Sequence, residues 1–154
     1  MSEHGYYIED LTEGMTAVFG KTITEADILM FAGVSGDTNP VHLNEEFAGG
    51  TPFKGRIAHG MLTASLISTV IGTKLPGPGC IYVSQSLKFM APVRAGETVR
   101  AQVTIREVNQ ERRRITLETT CLVNGSPVLA GEAVIMVPRR PAAATVPAAT
   151  ATAA

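Results

Sequence analysis

The stretch IAHGMLTASLISTVIGTKL, residues 57–75, is the most apolar segment of this 154-residue chain and does most to decide its fold. The spacing predicts a helix over 57–75 whose apolar residues lie nearly all round it, and such a helix is usually buried on most sides. It would be roughly 24–28 Å long at about 1.5 Å per residue. Serine and threonine residues interrupt the apolar run, so we expect no transmembrane helix and no membrane partner.

Four long strands are predicted after this helix. Apolar and polar residues alternate along the second and third of them, which is typical of an antiparallel sheet with one buried face. Asn124 and Gly125 form the dipeptide that a type I′ hairpin turn prefers. We therefore predict an α+β hot-dog fold, in which one antiparallel meander wraps around the long helix, and a dimer formed through edge strands or loops. The strands are expected over 80–89, 98–108, 114–123 and 126–137.

The part of the chain before the long helix is less regular. Residues 15–23 predict a strand, and Thr24 with Asp27 three positions later predicts the cap of a short helix over 26–32. Residues 34–52 are rich in Gly, Asn and Pro and are expected to be mostly loop, with one helical turn near 44–47.

Composition indicates a single domain without a strong charge bias. Thirteen Lys and Arg against fourteen Asp and Glu leave a net charge of −1, so we predict no nucleic-acid partner. Cys80 and Cys121 form no CxxC motif, which fits a reduced protein of the cytoplasm, and residues 1–10 do not resemble a signal peptide. Residues 138–154 are rich in Ala, Pro and Thr and predict a disordered tail, which leaves one domain over 1–137.

The segment SGDTNPVH, residues 35–42, carries the first candidate for chemistry. Asn39-Pro40 favours an extended or turning path, and we expect Pro40 to exclude a helix here. A rigid loop could then bring the Asp37 carboxylate and the His42 imidazole to one point, as acid–base catalysis requires. The alternative is that Asp and Asn only cap turns in a Gly/Pro loop.

The start of the long helix is a second candidate. Free N–H groups beside Gly60 could hold an oxyanion, although a glycine there could also serve only helix packing. Ser68, two turns farther along, could bond to Asp37 or to its own helix backbone. A metal held by Asp37, His42 and His59 is conceivable, but the chain has no HxxxH motif and no cysteine cluster, so we predict no metal.

Three segments resemble the MaoC-like proteins. FAGVSGDTNPVH at 31–42, with Ala48 six residues after the histidine, is similar to the hydratase 2 motif of that family. IAHGML at 57–62 and LKFMAPV at 87–93 are similar to further family segments. The resemblance covers roughly residues 15–137 and is closest to the short (R)-specific enoyl-CoA hydratases that supply polyhydroxyalkanoate synthesis.

This resemblance implies a role for each candidate residue. Asp37 and His42 would form the catalytic dyad, the Gly60 N–H would hold the thioester oxygen, and Ser68 would line the acyl pocket near a dimer interface. The implied reaction is reversible addition of water to a trans-2-enoyl-CoA to give the (3R)-hydroxyacyl-CoA. The substrate is an acyl-CoA thioester, and neither a metal nor a redox cofactor is required.

Other functions remain open from the sequence. A MaoC-like dehydratase for a specialised or carrier-bound acyl substrate would share the dyad, whereas a hot-dog thioesterase would release free thiol. A non-enzymatic acyl-CoA-binding module would be expected to lack an intact dyad. Four basic residues near the motifs could contact the phosphates of CoA, and the sequence does not distinguish among them: Lys54, Arg56, Lys88 and Arg94.

Overall fold

A computed structural model describes residues 4–141 as five strands, four α-helices and a short 3-10 turn at Ile8–Asp10. The strands are β1 Thr16–Thr22, β2 Ile81–Phe89, β3 Thr98–Asn109, β4 Arg114–Val123 and β5 Ser126–Met136. The helices are α1 Glu25–Ser35, α2 Pro40–Leu43, α3 Glu45–Gly49 and α4 Gly60–Thr73.

All five strands form one antiparallel sheet in the order β1-β3-β4-β5-β2. The turn between β4 and β5 has positive φ at both Asn124 and Gly125, 49° and 79°, as the type I′ prediction requires. Only β3, β4 and β5 form a meander, so the predicted meander of four strands is wrong. β2 lies at the edge beside β5 because residues 90–97 cross the end of the sheet, where Ala58 N–H donates to Val93 O at 2.7 Å.

Helix α4 packs against the sheet and supplies much of the core. It begins at Gly60 rather than at 57, because the N–H groups of Ile57 and Ala58 donate to Val41 O and Val93 O and hold that segment extended. Each aliphatic side chain that it buries contributes about 1.5–3 kcal/mol. Its buried residues include Leu62, Leu66, Ile67, Val70 and Ile71.

One face of α4 is exposed, contrary to the expectation of a helix buried on most sides. Met61, Ser65 and Ser68 recur on this face, which the sheet does not cover. The uncovered face therefore remains available to another molecule.

Two local signals upstream of α4 have different outcomes. Thr24 caps α1 as predicted: its hydroxyl accepts from Asp27 N–H, and Asp27 Oδ2 accepts from Thr24 N–H at 2.8 Å. The expectation that Pro40 excludes a helix is wrong. Pro40 occupies the first position of α2, where a missing N–H costs no hydrogen bond and the fixed φ suits the helix.

The two ends of the described chain lie together. Ile8 N–H donates to Pro138 O at 3.0 Å, and the Arg140 guanidinium is 2.5 Å from Asp10 Oδ1. Residues 138–141 thus contact the domain, whereas the rest of the predicted disordered tail, 142–154, lies outside the described residues. Within residues 4–141, no helix is both long enough and apolar enough to cross a membrane.

Candidate active site

Helix α2 positions the imidazole of His42. Asn39 caps this helix by accepting from Val41 N–H at 3.1 Å, and the side chain of His42 points inward, with 11% of it exposed. Its Nδ1 lies 2.8 Å from Ile57 O. Because a carbonyl oxygen only accepts, Nδ1 carries the hydrogen and Nε2 keeps a lone pair. His42 therefore turns Nε2, the nitrogen not bonded to Ile57 O, toward Asp37.

Asp37 faces this nitrogen from the loop before α2. Its Oδ2 is 4.0 Å from His42 Nε2, while its Oδ1 accepts from Asn39 N–H at 3.2 Å. The left-handed conformation of Gly36, with φ of 76°, ends α1 and turns the chain toward this position. The Asp37 side chain is 51% exposed, so the pair has one solvent-facing member and one buried member. The structure thus brings Asp37 and His42 together.

His59 lies directly behind the pair. It is 1% exposed, and its Nε2 is 2.9 Å from the backbone oxygen of Asp37. Its ring packs against the His42 ring with centroids 3.9 Å apart and a tilt of 30° between the planes. From the sequence, this residue was considered only as a conceivable metal ligand.

A metal ion is poorly suited to these three residues. Asp37, His42 and His59 offer ligand atoms that lie within 4.8 Å of one another. Each imidazole lone pair lies in the plane of its own ring, however, and the two ring planes are inclined by only 30° with centroids 3.9 Å apart, so the lone pairs do not converge on one ion. The absence of a metal remains a prediction.

A cavity of about 470 Å³ opens beside Asp37 and the N-terminus of α4. Gly60 is the first residue of α4, and an N–H there has no acceptor within the helix. Gly60 N–H also has no other backbone acceptor among residues 4–141. Most of the wall is apolar, and it includes Phe53, Met61, Phe89, Met90, Val128 and Leu129.

Ser68 is not part of this cavity. It lies on the exposed face of α4, about 12 Å along the helix from Gly60 at ~1.5 Å per residue. No hydrogen bond joins it to Asp37 among the described residues. The structure of one chain does not bring Ser68 to the dyad, and its role in the acyl pocket stays a prediction.

Two of the four candidate basic residues stabilise the cavity wall. Arg56 pairs with Glu25 at 2.8 Å and Glu45 at 3.3 Å. Arg94 donates to the carbonyl oxygens of Arg56 and Phe53. Lys54 and Lys88 are exposed and form no ion pair with another residue of the described chain.

Neither cysteine is suited to nucleophilic catalysis. Cys121 is buried in the core, and this burial raises the pKa of its thiol to about 12. Burial also raises the pKa of Cys80. Both thiols are therefore protonated near neutral pH, whereas the thiolate is the nucleophilic form.

The aromatic part of the cavity wall was not identified from the sequence. Phe89 and Met90 belong to LKFMAPV, which was noted only for its resemblance to the family, and Phe53 lies between the loop expected over 34–52 and the long helix, where no feature was predicted. For Phe89 and Met90 the sequence did contain a signal, because LKFMAPV includes the end of strand β2, which borders the N-terminus of α4.

Comparison with known proteins identifies the family of the chain. The family model described as MaoC like domain matches residues 10–125. The chain belongs to the MaoC-like family. The recognition of this family from the sequence is thus confirmed.

Several MaoC-like relatives are similar over nearly their whole length. An (R)-specific enoyl-CoA hydratase of Rhodospirillum rubrum is 58% identical over 88% of this chain and 94% of its own. A 3-hydroxybutyryl-CoA dehydratase of Methylorubrum extorquens is 52% identical over 87% of this chain and 85% of its own. The solved (R)-hydratase of Aeromonas caviae, described as involved in PHA biosynthesis, superposes with a TM-score of 0.81 at 40% identity, covering 84% and 99% of the two chains. The hot-dog fold prediction is confirmed.

Proposed function

We propose that this MaoC-like protein is an (R)-specific enoyl-CoA hydratase, a hydro-lyase that reversibly adds water to trans-2-enoyl-CoA to give (3R)-hydroxyacyl-CoA. The observation that carries the proposal is the 4.0 Å separation of Asp37 Oδ2 and His42 Nε2 beside an apolar cavity. The Rhodospirillum rubrum and Aeromonas caviae relatives named for this activity support it.

The dyad is built to bind and activate one water molecule. A separation of 4.0 Å is too long for a direct hydrogen bond, but one water oxygen fits within bonding distance of both atoms. The lone pair on His42 Nε2 accepts a water proton as the water oxygen bonds to C3 of the substrate. The C2–C3 π electrons move toward the thioester, and a proton from the dyad completes the new C–H bond at C2.

The N-terminus of α4 is suited to hold the charge that forms on the thioester oxygen. The Gly60 N–H has no acceptor in the helix, and the positive end of the helix dipole adds to its effect. Loss of one such preorganised donor typically costs about 3–4 kcal/mol in the transition state. No metal or redox cofactor takes part in this scheme.

The CoA moiety would contact exposed basic residues at the rim. Lys54 follows the cavity residue Phe53, and Lys88 precedes the cavity residue Phe89. Both lysines are exposed, whereas Arg56 and Arg94 are engaged within the chain. We therefore assign the phosphate contacts to Lys54 and Lys88.

The proposed enzyme is a homodimer of the cytoplasm. Strand β2 is an edge of the sheet and exposes Ile81 and Val83, and Phe89 and Met90 at its end are about half exposed. Apolar edges of this kind are normally covered in natural proteins. The two cysteines are unpaired, as expected for a reducing compartment.

The decisive experiment is hydration of crotonyl-CoA by the purified protein. Loss of the conjugated thioester absorbance reports turnover, and coupling to an (R)-specific dehydrogenase reports the stereochemistry. We expect the (R) product, and we expect Asp37→Asn and His42→Ala each to reduce kcat at least about 10²-fold while the protein stays folded by circular dichroism. A folded His42→Ala protein with full turnover would contradict the proposal.

The same assay distinguishes the alternatives. Release of free CoA thiol would indicate a thioesterase. Turnover of carrier-bound but not CoA-bound enoyl substrates would indicate the specialised dehydratase. Binding of acyl-CoA without turnover of any enoyl thioester would indicate a non-enzymatic module.

A further inference from the structure

We infer that His59 is a positioning residue, which joins the water-activating dyad to the oxyanion-binding end of α4; the inference rests on the function proposed above. No motif implied this role, since the resemblance assigned the chemistry to Asp37, His42 and Gly60 alone. The evidence is the hydrogen bonding, the ring packing and the chain position of His59.

The first observation is a fixed hydrogen bond to the dyad loop. His59 Nε2 lies 2.9 Å from the backbone oxygen of Asp37, and a carbonyl oxygen can only accept, so Nε2 carries the hydrogen. His59 Nδ1 is buried and has no hydrogen-bond partner among the described residues. The Asp37 bond is thus the polar contact that defines the tautomer and the orientation of this ring.

The second observation is the packing around the ring. The ring of His59 packs against that of His42 with centroids 3.9 Å apart, and Phe31 of α1 packs against His59 at a centroid distance of 4.9 Å. His42 is itself fixed by its bond to Ile57 O, two residues before His59 in the chain. Both members of the dyad are therefore held from the same segment, Asp37 through its backbone and His42 through its ring.

The third observation is the place of His59 at the N-cap of α4. Gly60, whose N–H is proposed to hold the thioester oxygen, is the next residue. One side chain therefore connects the atoms that activate water with the donor that stabilises the enolate. A displacement of about 1 Å between such groups can reduce a rate about 10²-fold.

Two substitutions separate this positioning role from simple core filling. His59→Gln keeps an N–H donor near the position of Nε2, whereas His59→Met fills similar space without a donor. We expect His59→Met to lower kcat about tenfold or more, because the dyad loop loses its tie to α4. We expect KM to change less than about threefold, because the cavity wall is retained, and His59→Gln to recover most of the lost kcat.

The kinetic outcomes are decisive once thermal unfolding has been measured for both variants. Loss of kcat in His59→Met with recovery in His59→Gln, at matched stability, supports positioning. Equal activity of the two variants, whether both high or both low, would overturn it. A rise in KM with unchanged kcat would also overturn it, since that would assign His59 to substrate binding.

A measurement independent of activity tests the geometry itself. The chain has three histidines, so long-range ¹H–¹⁵N spectra of the wild-type imidazoles can be assigned with single His→Gln variants. We expect the Nε2–H tautomer for His59 and the Nδ1–H tautomer for His42. The Nδ1–H tautomer for His59 would overturn the inference even if the protein is an active hydratase. Absence of hydratase activity would instead refute the proposed function, and the spectra would then decide alone whether His59 binds the Asp37 loop.

Discussion

The ring of Phe89 lies directly against the α-carbon of Gly60. A β-carbon on Gly60 would stand 2.7 Å from Cε1 and 2.9 Å from Cδ1 of that ring, closer than real side chains approach one another. Glycine at this position therefore has a packing function as well as the proposed oxyanion function. The sequence left these two explanations as alternatives, and the contact shows that a larger residue here would force the Phe89 ring to move.

Gly60→Ala tests how the two functions combine. The substitution keeps the N–H, so any loss of activity would come from the displaced ring and the helix end that it contacts. We expect the free energy of unfolding to fall by about 1–3 kcal/mol and kcat to fall as well. Thermal unfolding and crotonyl-CoA turnover provide the two measurements.

A second change in the same protein provides the control. Phe89→Leu removes the ring edge, so the Gly60→Ala, Phe89→Leu double variant should regain most of the stability that Gly60→Ala loses. If Gly60→Ala is as stable as the wild type, the close contact has no energetic consequence. If the double variant regains stability but not turnover, the helix end itself must be displaced by the new methyl group.

The elements that the sequence predicted well have short-range causes. The Thr24–Asp27 cap depends on four consecutive residues, and the Asn124-Gly125 turn depends on two. The apolar run of α4 and the alternation along the later strands were likewise informative, because each depends only on residues that are close together in the sequence. The MaoC-like motif located the Asp37–His42 pair for the same reason, because the two residues are only five positions apart, in a loop and the short helix α2 that follows it.

The features that were missed depend on contacts distant in sequence. His59 is buried against Asp37, 22 residues away, and Phe89 contacts Gly60 from the end of β2, later in the chain. No local pattern encodes those contacts. Ser68 is a different case: its helical spacing from Gly60 suggested a place in the acyl pocket, the single chain leaves it exposed on α4, and the prediction stays open.

Gly131 of β5 is expected to be the least tolerant glycine of the sheet. A β-carbon there would lie 1.8 Å from the backbone oxygen of Ser86 on β2, which the sheet prevents from moving. Gly131→Ala should lower the free energy of unfolding by about 3 kcal/mol or more, measured by urea denaturation.

Gly33→Ala is the matched control, because nothing lies within 4 Å of its new methyl group. Glycine within a helix costs about 0.5–1 kcal/mol relative to alanine, so Gly33→Ala should stabilise the protein. Equal stability of the two variants would contradict this account.

The edge strand β2 should form the homodimer interface. Val83→Lys places a charge on an apolar position that is 48% exposed in one chain. Burial of an unpaired charge at an interface is strongly unfavourable, so we expect the variant to sediment as a monomer at concentrations where the wild type is a dimer. Thr22→Lys, an exposed position on the opposite edge strand β1, is the control and should leave the assembly unchanged. Dissociation by Thr22→Lys instead of Val83→Lys would move the interface to β1.

Asp27 should make stability depend on pH in the acid range. The bonds from Thr24 N–H and Thr24 Oγ1, with Lys21 at 3.1 Å, lower the pKa of the Asp27 carboxyl group in the folded protein. A carboxylate whose pKa is lowered by folding stabilises the fold at pH values above its pKa in the unfolded chain, which is about 3.9. This contribution disappears as the pH falls through the pKa of the folded protein.

Asp27→Asn isolates that contribution. At pH 7 the variant should be less stable than the wild type by about 1 kcal/mol, the usual value of a helix cap. Below about pH 4 the difference should shrink, because the wild type protonates the carboxyl group and loses the same interaction. Urea denaturation at several pH values measures both differences in stability.

Glu13→Gln, at an exposed carboxylate without an ion pair in the described chain, should show no such convergence with the wild type. A gap between wild type and Asp27→Asn that stays constant from pH 7 to about pH 3 would show that the cap does not depend on the carboxylate charge.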